Sequence, residues 1–205
     1  MVTTGARVAI LASGAGTNAE RLMRAASGVP DVDIVLVACN RPDAGVLTRA
    51  EGCGVPTWVF DRSALLSGEV EARLRALEVD FVALAGFLMK IPEGLVAAFP
   101  GRMLNLHPSL LPAFGGKGMY GHHVHRAVAE ALAAGTVQET GITLHWVDAE
   151  YDTGAPFFQA AVALDPADDA EAVAARIQRL ESEHYAPQTL RAIRESLSLS
   201  DPATG

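Results

Sequence analysis

Short apolar runs alternate with segments of helical spacing almost from the first residue, and this alternation confines the chain to a small group of folds. Residues 7–13, Arg-Val-Ala-Ile-Leu-Ala-Ser, read as a buried strand. Gly14-Ala15-Gly16 then turns the chain, and Ala19, Leu22, Met23 and Ala26 give a helical face over residues 17–27. Strand, glycine turn and helix open a βαβ unit. A second strand rich in β-branched residues covers 33–40, followed by a helix over 45–52 and a short strand over 57–60. Further on, 69–77 is charged and helical, 80–87 a buried strand, 93–99 a short helix behind Pro92, and 102–106 another strand. Such an order implies a mostly parallel, doubly wound sheet.

The second part of the chain has a different rhythm. After a turn-rich stretch over 112–121 comes a helix over 122–134, then strands over 140–147 and 156–163. The link between these strands is too short for a parallel crossover, so they pair antiparallel and the sheet is mixed at this side. A final helix runs from about residue 168 to 197, with Pro187 as a point where it can break, and 198–205 reads as a loose tail. The expectation is a single α/β domain over 1–205, doubly wound, with a mostly parallel sheet and an antiparallel C-terminal hairpin.

Charge narrows the functions open to such a domain. A net charge of −8 argues against a nucleic-acid surface, which needs clustered Lys and Arg, while leaving small anions that backbone N–H groups can bind. Cys39 and Cys53 are too few for a disulfide framework and too far apart for a CxxC motif, and read as thiols in a reducing compartment. No apolar run reaches the roughly 20 residues needed to span a membrane. A cytoplasmic location is expected. His122, His123 and His125 open a helix at a spacing that cannot turn three imidazoles towards one ion, so no metal is expected.

Three segments carry candidate chemistry. In Asn105-Leu106-His107-Pro108-Ser109-Leu110-Leu111-Pro112 the period of two puts Asn105 and His107 on one face of a strand and turns Leu104 and Leu106 towards the core. A carboxamide donor beside a proton-carrying group suits a developing oxyanion; a capped strand with a surface histidine is the plainer alternative. Gly14-Ala15-Gly16-Thr17-Asn18-Ala19 matches G-x-G-x-x-A, a dinucleotide signature, but the second strand ends Ala38-Cys39-Asn40-Arg41 without the acid that holds a ribose, and Asp33 lies at its other end. Thr17 and Asn18 offer donors beside free N–H groups, which favours a single phosphate over a bare helix cap or an NAD(P)-dependent oxidoreductase. Asp152, in Glu150-Tyr151-Asp152-Thr153-Gly154, either meets His107 or serves its own turn. His145 reads as a core histidine and Lys117 as a solvated charge or an anion's partner.

Residues 13–18 (Ser-Gly-Ala-Gly-Thr-Asn), 105–112 and 148–154 (Asp-Ala-Glu-Tyr-Asp-Thr-Gly) stand in an order that resembles the folate-dependent phosphoribosylglycinamide formyltransferases of purine synthesis. The likeness runs over most of the chain and implies the formyltransferase fold: a Rossmann-like, phosphate-binding half over 7–106 and a folate-side half over 107–197. The similar formyltetrahydrofolate hydrolases carry a regulatory domain before the first strand, and the similar methionyl-tRNA formyltransferases an extra C-terminal domain; neither is expected here. By resemblance Asn105, His107 and Asp152 form the catalytic group; a carboxylate near His107 would favour its protonated form by raising the histidine pKa. Gly16, Thr17 and Asn18 hold the acceptor's phosphate, and Glu181 and Gln178 lie on the substrate side. Leu88, Met89, Lys90 and Ile91, with Asn105, line the site of the co-substrate 10-formyltetrahydrofolate, and His145 matches a site-lining histidine.

The resemblance further implies small-molecule partners and a monomer or homodimer; transfer to another amino sugar phosphate is the alternative within the family. Met89 stands where the family's motif commonly has an arginine, with Lys90 next to it. The stretch from Gly115 to His122 is longer than in the commonest form, the segment after Asp61 is shorter, and neither Arg62 nor Arg73 matches the family's folate-contacting arginine.

Overall fold

Along β1, Ala6–Ala12, the residues Val8, Ile10 and Ala12 face one side of a sheet and Ala9 and Leu11 the other, and all five are fully buried. A strand covered on both faces is what a central position between two helical layers produces. The computed structural model describes residues 5–198. In chain order β1 is followed by α1 (Thr17–Ala26), β2 (Val32–Cys39), α2 (Gly45–Gly52), β3 (Thr57–Val59), α3 (Arg62–Leu66) and α4 (Glu69–Ala76). Then come β4 (Phe81–Leu84), α5 (Glu93–Ala98), β5 (Met103–His107), α6 (His122–Ala133), β6 (Glu139–Trp146), β7 (Pro156–Ala163) and α7 (Ala170–Ser198).

The strands form one sheet in the order β3-β2-β1-β4-β5-β6-β7. The first five pair parallel, whereas β6 runs antiparallel to both β5 and β7. The expected mixed sheet is therefore present, and it runs without interruption through both halves of the chain. Helices α1, α2, α6 and α7 pack on the face of Val8 and Ile10. Helices α3, α4 and α5 cover the face of Ala9 and Leu11. Strand order reverses between β1 and β4, the kind of crevice where open α/β sheets bind their ligands.

Three differences from the sequence-based expectation have local causes. Strand β4 ends at Leu84 rather than at residue 87, because Gly86 at φ 71° swings the backbone out of the ladder. Helix α3 is unforeseen; Asp61 starts it by accepting the Ala64 N–H at 2.8 Å, and five residues are too few to show a period. Helix α7 passes through Pro187 without a break. Pro187 and Glu183 are both exposed, so the bond that proline removes lies on the solvent face, where the carbonyl is open to solvent. Ser198 is the last described residue of α7, and the remainder of the expected tail lies outside the described residues. Among the described residues no helix is long and apolar enough to cross a membrane.

Candidate active site

Strand β5 displays its side chains as its period of two requires. Leu104 and Leu106 enter the core, and Asn105 and His107 open on the other side into a cavity of about 330 Å³. Antiparallel pairing sets His145 of β6 directly across from Asn105. His145 Nδ1 lies 3.0 Å from the Trp146 carbonyl, which can only accept, so Nδ1 carries hydrogen. Where Nε2 carries none, it accepts from the Asn105 amide at 3.1 Å. This bond fixes the carboxamide with its –NH2 group in the cavity and a second hydrogen to offer there. His145 is thus part of the site as well as buried.

His107, 3% exposed, is held from two sides. Its Nε2 lies 2.8 Å from the Phe114 carbonyl and its Nδ1 3.5 Å from Asp152 Oδ2. Asp152 itself accepts the Gly116 N–H at 2.9 Å, and its other oxygen is 3.5 Å from His145 Nε2. The short turn through Phe114, Gly115 and Gly116 therefore grips both members of the pair. Phe114 and Asp152 have φ of 56° and 55°, a left-handed backbone that aims the carbonyl and the carboxylate inward.

Burial pushes the His107 pKa below its ordinary value, against the opposing pull of the Asp152 carboxylate and the Phe114 carbonyl, with His145 adding to the depression. The imidazolium expected from the sequence is accordingly not the resting form: the desolvation of a ring this deep outweighs one carboxylate at 3.5 Å. For Asp152 burial acts upward, but His145, His107 and the Gly116 N–H together prevail and hold the carboxyl below its usual range. At neutral pH the pair is an uncharged imidazole facing a carboxylate.

At one end of the cavity the glycine turn enters α1. Gly16 has φ 78°, and a Cβ there would stand 2.5 Å from that of Val46, so glycine is required twice over. No side chain caps the start of α1, whose first residues lie in the cavity wall made by Gly14 to Asn18. Asn18 donates to Glu181 Oε2 at 2.9 Å and accepts from Arg21 at 2.9 Å. Glu181 is an acid with its pKa raised by burial and partly restored by Asn18 and Arg21. At the other end lie Leu88, Met89, Lys90 and Ile91, which also line a neighbouring hollow of about 390 Å³ with Arg62 and Tyr151. Lys90 pairs with Glu150 at 3.4 Å and sits 5.8 Å from the centre of the Tyr151 ring.

Of the site residues expected from the sequence, Gly16, Thr17, Asn18, Leu88, Met89, Lys90, Ile91, Asn105, His107, Asp152 and Glu181 line this one cavity. Its walls come from both halves of the chain. Gln178 does not join them; it is exposed on α7, as Lys117 is in its loop. His125 lines the cavity, but among the described residues no group of three or more His, Cys, Asp or Glu is placed to hold a metal ion. Asn40, at the end of β2, turns its carboxamide to Ser13 rather than outward to a ribose, and Asp33 is exposed at the opposite end of the strand. The Phe114 carbonyl and Gly116 N–H escaped the sequence reading because backbone groups leave no residue type behind.

Residues 6–189 match the model of a family described as formyl transferase. The phosphoribosylglycinamide formyltransferase of Bacillus subtilis is 36% identical over 87% of this chain and 90% of its own length. The chloroplastic phosphoribosylglycinamide formyltransferase of Arabidopsis thaliana is 42% identical over 87% of this chain and 62% of the plant protein. This chain thus spans about three fifths of that relative's length. In structure, a phosphoribosylglycinamide formyltransferase from Anaplasma phagocytophilum superposes with a TM-score of 0.81 at 37% identity, covering 93% of this chain and 88% of the other.

Proposed function

The chain belongs to the formyl transferase family, and from that premise we propose that it transfers a formyl group from 10-formyltetrahydrofolate to the amine of 5-phosphoribosylglycinamide, a step of de novo purine (IMP) synthesis. The observation that carries this reading is the meeting of Asn105, His107 and Asp152 on one wall of a cavity, with a phosphate-sized turn at one end and the Leu88 to Ile91 loop at the other. The relatives' names and the superposition support it.

In this reading the cavity brings two reactants together. The N–H groups from Gly16 to Asn18 anchor the acceptor's phosphate, Glu181 faces its sugar, and Leu88, Met89, Lys90 and Ile91 line the folate, so much of the rate comes from proximity. The amine attacks the formyl carbon and the carbonyl oxygen becomes an oxyanion, which takes the free hydrogen of the Asn105 amide. His107 is neutral at rest and receives the amine proton at Nδ1, beside the carboxylate that stabilises the resulting cation. The imidazolium hands that proton to Asp152, which delivers it, directly or through a water, to the folate nitrogen as the C–N bond breaks, so that His107 ends neutral and Asp152 ionised. Formyl leaves one nitrogen for the other with no covalent enzyme species.

The 7–106 half supplies the phosphate end in this reading, the 107–197 half faces the folate, and the protein works in the cytoplasm on small molecules, as a monomer or homodimer. Incubation with both substrates, followed by the absorbance of deformylated folate, tests the function. Folate product should appear only when the acceptor amine is present; product formed equally without acceptor, or none at all, rejects it.

A further inference from the structure

Ser13 is 1% exposed at the end of β1, and the chemistry proposed above leaves its hydroxyl without a role. The hydroxyl makes two bonds. It donates to Asn40 Oδ1 at 2.6 Å and accepts the Leu88 N–H at 3.0 Å. The Ser13 backbone N–H in turn donates to the Gly86 carbonyl at 3.1 Å. One residue thereby grips the segment 86–88 at both ends.

A hydroxyl has one hydrogen and two acceptor sites, and its hydrogen rotates to whatever acceptor is near. Asn40 takes that hydrogen, which leaves a lone pair pointing at Leu88 N–H. This gives Asn40 a purpose at the strand end where a dinucleotide fold would put an acid: its carboxamide faces inward and sets the serine rotor. The segment under the grip needs fixing. Gly86 at φ 71° has the backbone freedom of glycine, and Leu88 is an apolar side chain held 44% exposed at the junction of the two cavities. Free movement here would have to be frozen each time a ligand settled against Leu88, which weakens binding.

We propose that Ser13, set by Asn40, is a positioning residue that holds the loop from Gly86 to Ile91 in the shape that receives the formyl donor. The assignment of that loop to the donor rests on the function proposed above. Neither side-chain bond of Ser13 reaches the Gly14 to Asn18 turn, so the acceptor's end of the cavity is untouched by it.

Amide exchange and steady-state kinetics together test this. In the wild type the Leu88 amide exchanges slowly with deuterated water for a half-exposed loop residue, and Ser13→Ala accelerates it roughly tenfold, the loss of about one hydrogen bond. Ser13→Ala raises the donor KM about five- to tenfold, with kcat and the acceptor KM within about twofold. Asn40→Ala acts in the same direction but less, and the double variant is no worse than Ser13→Ala, because Asn40 works through the serine. An unprotected Leu88 amide in the wild type, an equal rise in both KM values, or additive effects of the two substitutions would overturn the proposal. If the wild type transfers no formyl group, the function fails separately; folic acid binding by wild type and Ser13→Ala then decides the role of Ser13, and equal affinities reject it.

Discussion

The Phe114 carbonyl oxygen lies 2.8 Å from His107 Nε2, and this single backbone atom decides where the ring keeps its proton. A carbonyl can only accept, so neutral His107 carries hydrogen on Nε2 and presents the lone pair of Nδ1 to Asp152 at 3.5 Å. On gaining a proton the ring finds an acceptor at each nitrogen. The site is therefore shaped for the cation, while burial keeps the resting ring neutral.

A titration of His107 by NMR with ring-labelled histidine should show the Nε2–H tautomer at neutral pH and a midpoint below the ordinary 6.5. Asp152 pulls that midpoint up, so Asp152→Asn should move it lower still. A buried ring with a depressed pKa binds its proton less readily folded than unfolded, so stability is fullest above 6.5 and falls as the pH drops through the depressed value. Denaturant midpoints measured on both sides of that window should show the loss, and His107→Asn should reduce it. A midpoint above 6.5 in the wild type contradicts the dominance of burial.

Asn105→Ala removes the amide that His145 orients. Turnover should fall about 10²–10³-fold, the usual cost of one oxyanion donor, with both KM values little changed. Near-normal turnover would show that the amide serves only to pair with His145.

Asp152→Asn keeps the shape of the side chain and deletes its charge. The expected result is a loss of kcat of about 10²-fold or more, consistent with a proton-transfer role, while equilibrium binding of folic acid is retained. Should binding weaken and kcat persist, the carboxylate belongs to ligand recognition.

Gly16→Ala places a methyl group against Val46 in a backbone conformation with φ 78°. A destabilisation of about 1–3 kcal/mol is expected from strain and crowding, readable in urea melts. In the folded fraction the acceptor KM should rise more than the donor KM, because the phosphate end is displaced. The opposite order would move the phosphate site elsewhere.

The elements of this fold were readable where a period could express itself. Val8, Ile10 and Leu22 announce a buried strand and the helix packed on it, and the alternation of Asn105 and His107 with Leu104 and Leu106 foretells which pair faces the cavity. Of the two readings open for Asp152, the structure has the one in which its carboxylate meets His107. What escaped the sequence depends on groups that no residue type marks. Helix α3 is too short to have a period, and the consequence of Pro187 turns on whether its carbonyl partner faces water. The grip of Phe114 and Gly116 on the His107–Asp152 pair is made by backbone, and the charge state of His107 follows from depth as much as from neighbours.

The left-handed backbone at Asp152 also restricts redesign of this chain. A backbone at φ 55° favours glycine and the short amide or acid, so a glutamate here would add length at a position that suits aspartate. Retuning the proposed proton chemistry therefore means leaving position 152 nearly as it is and working through the surroundings of the imidazole instead.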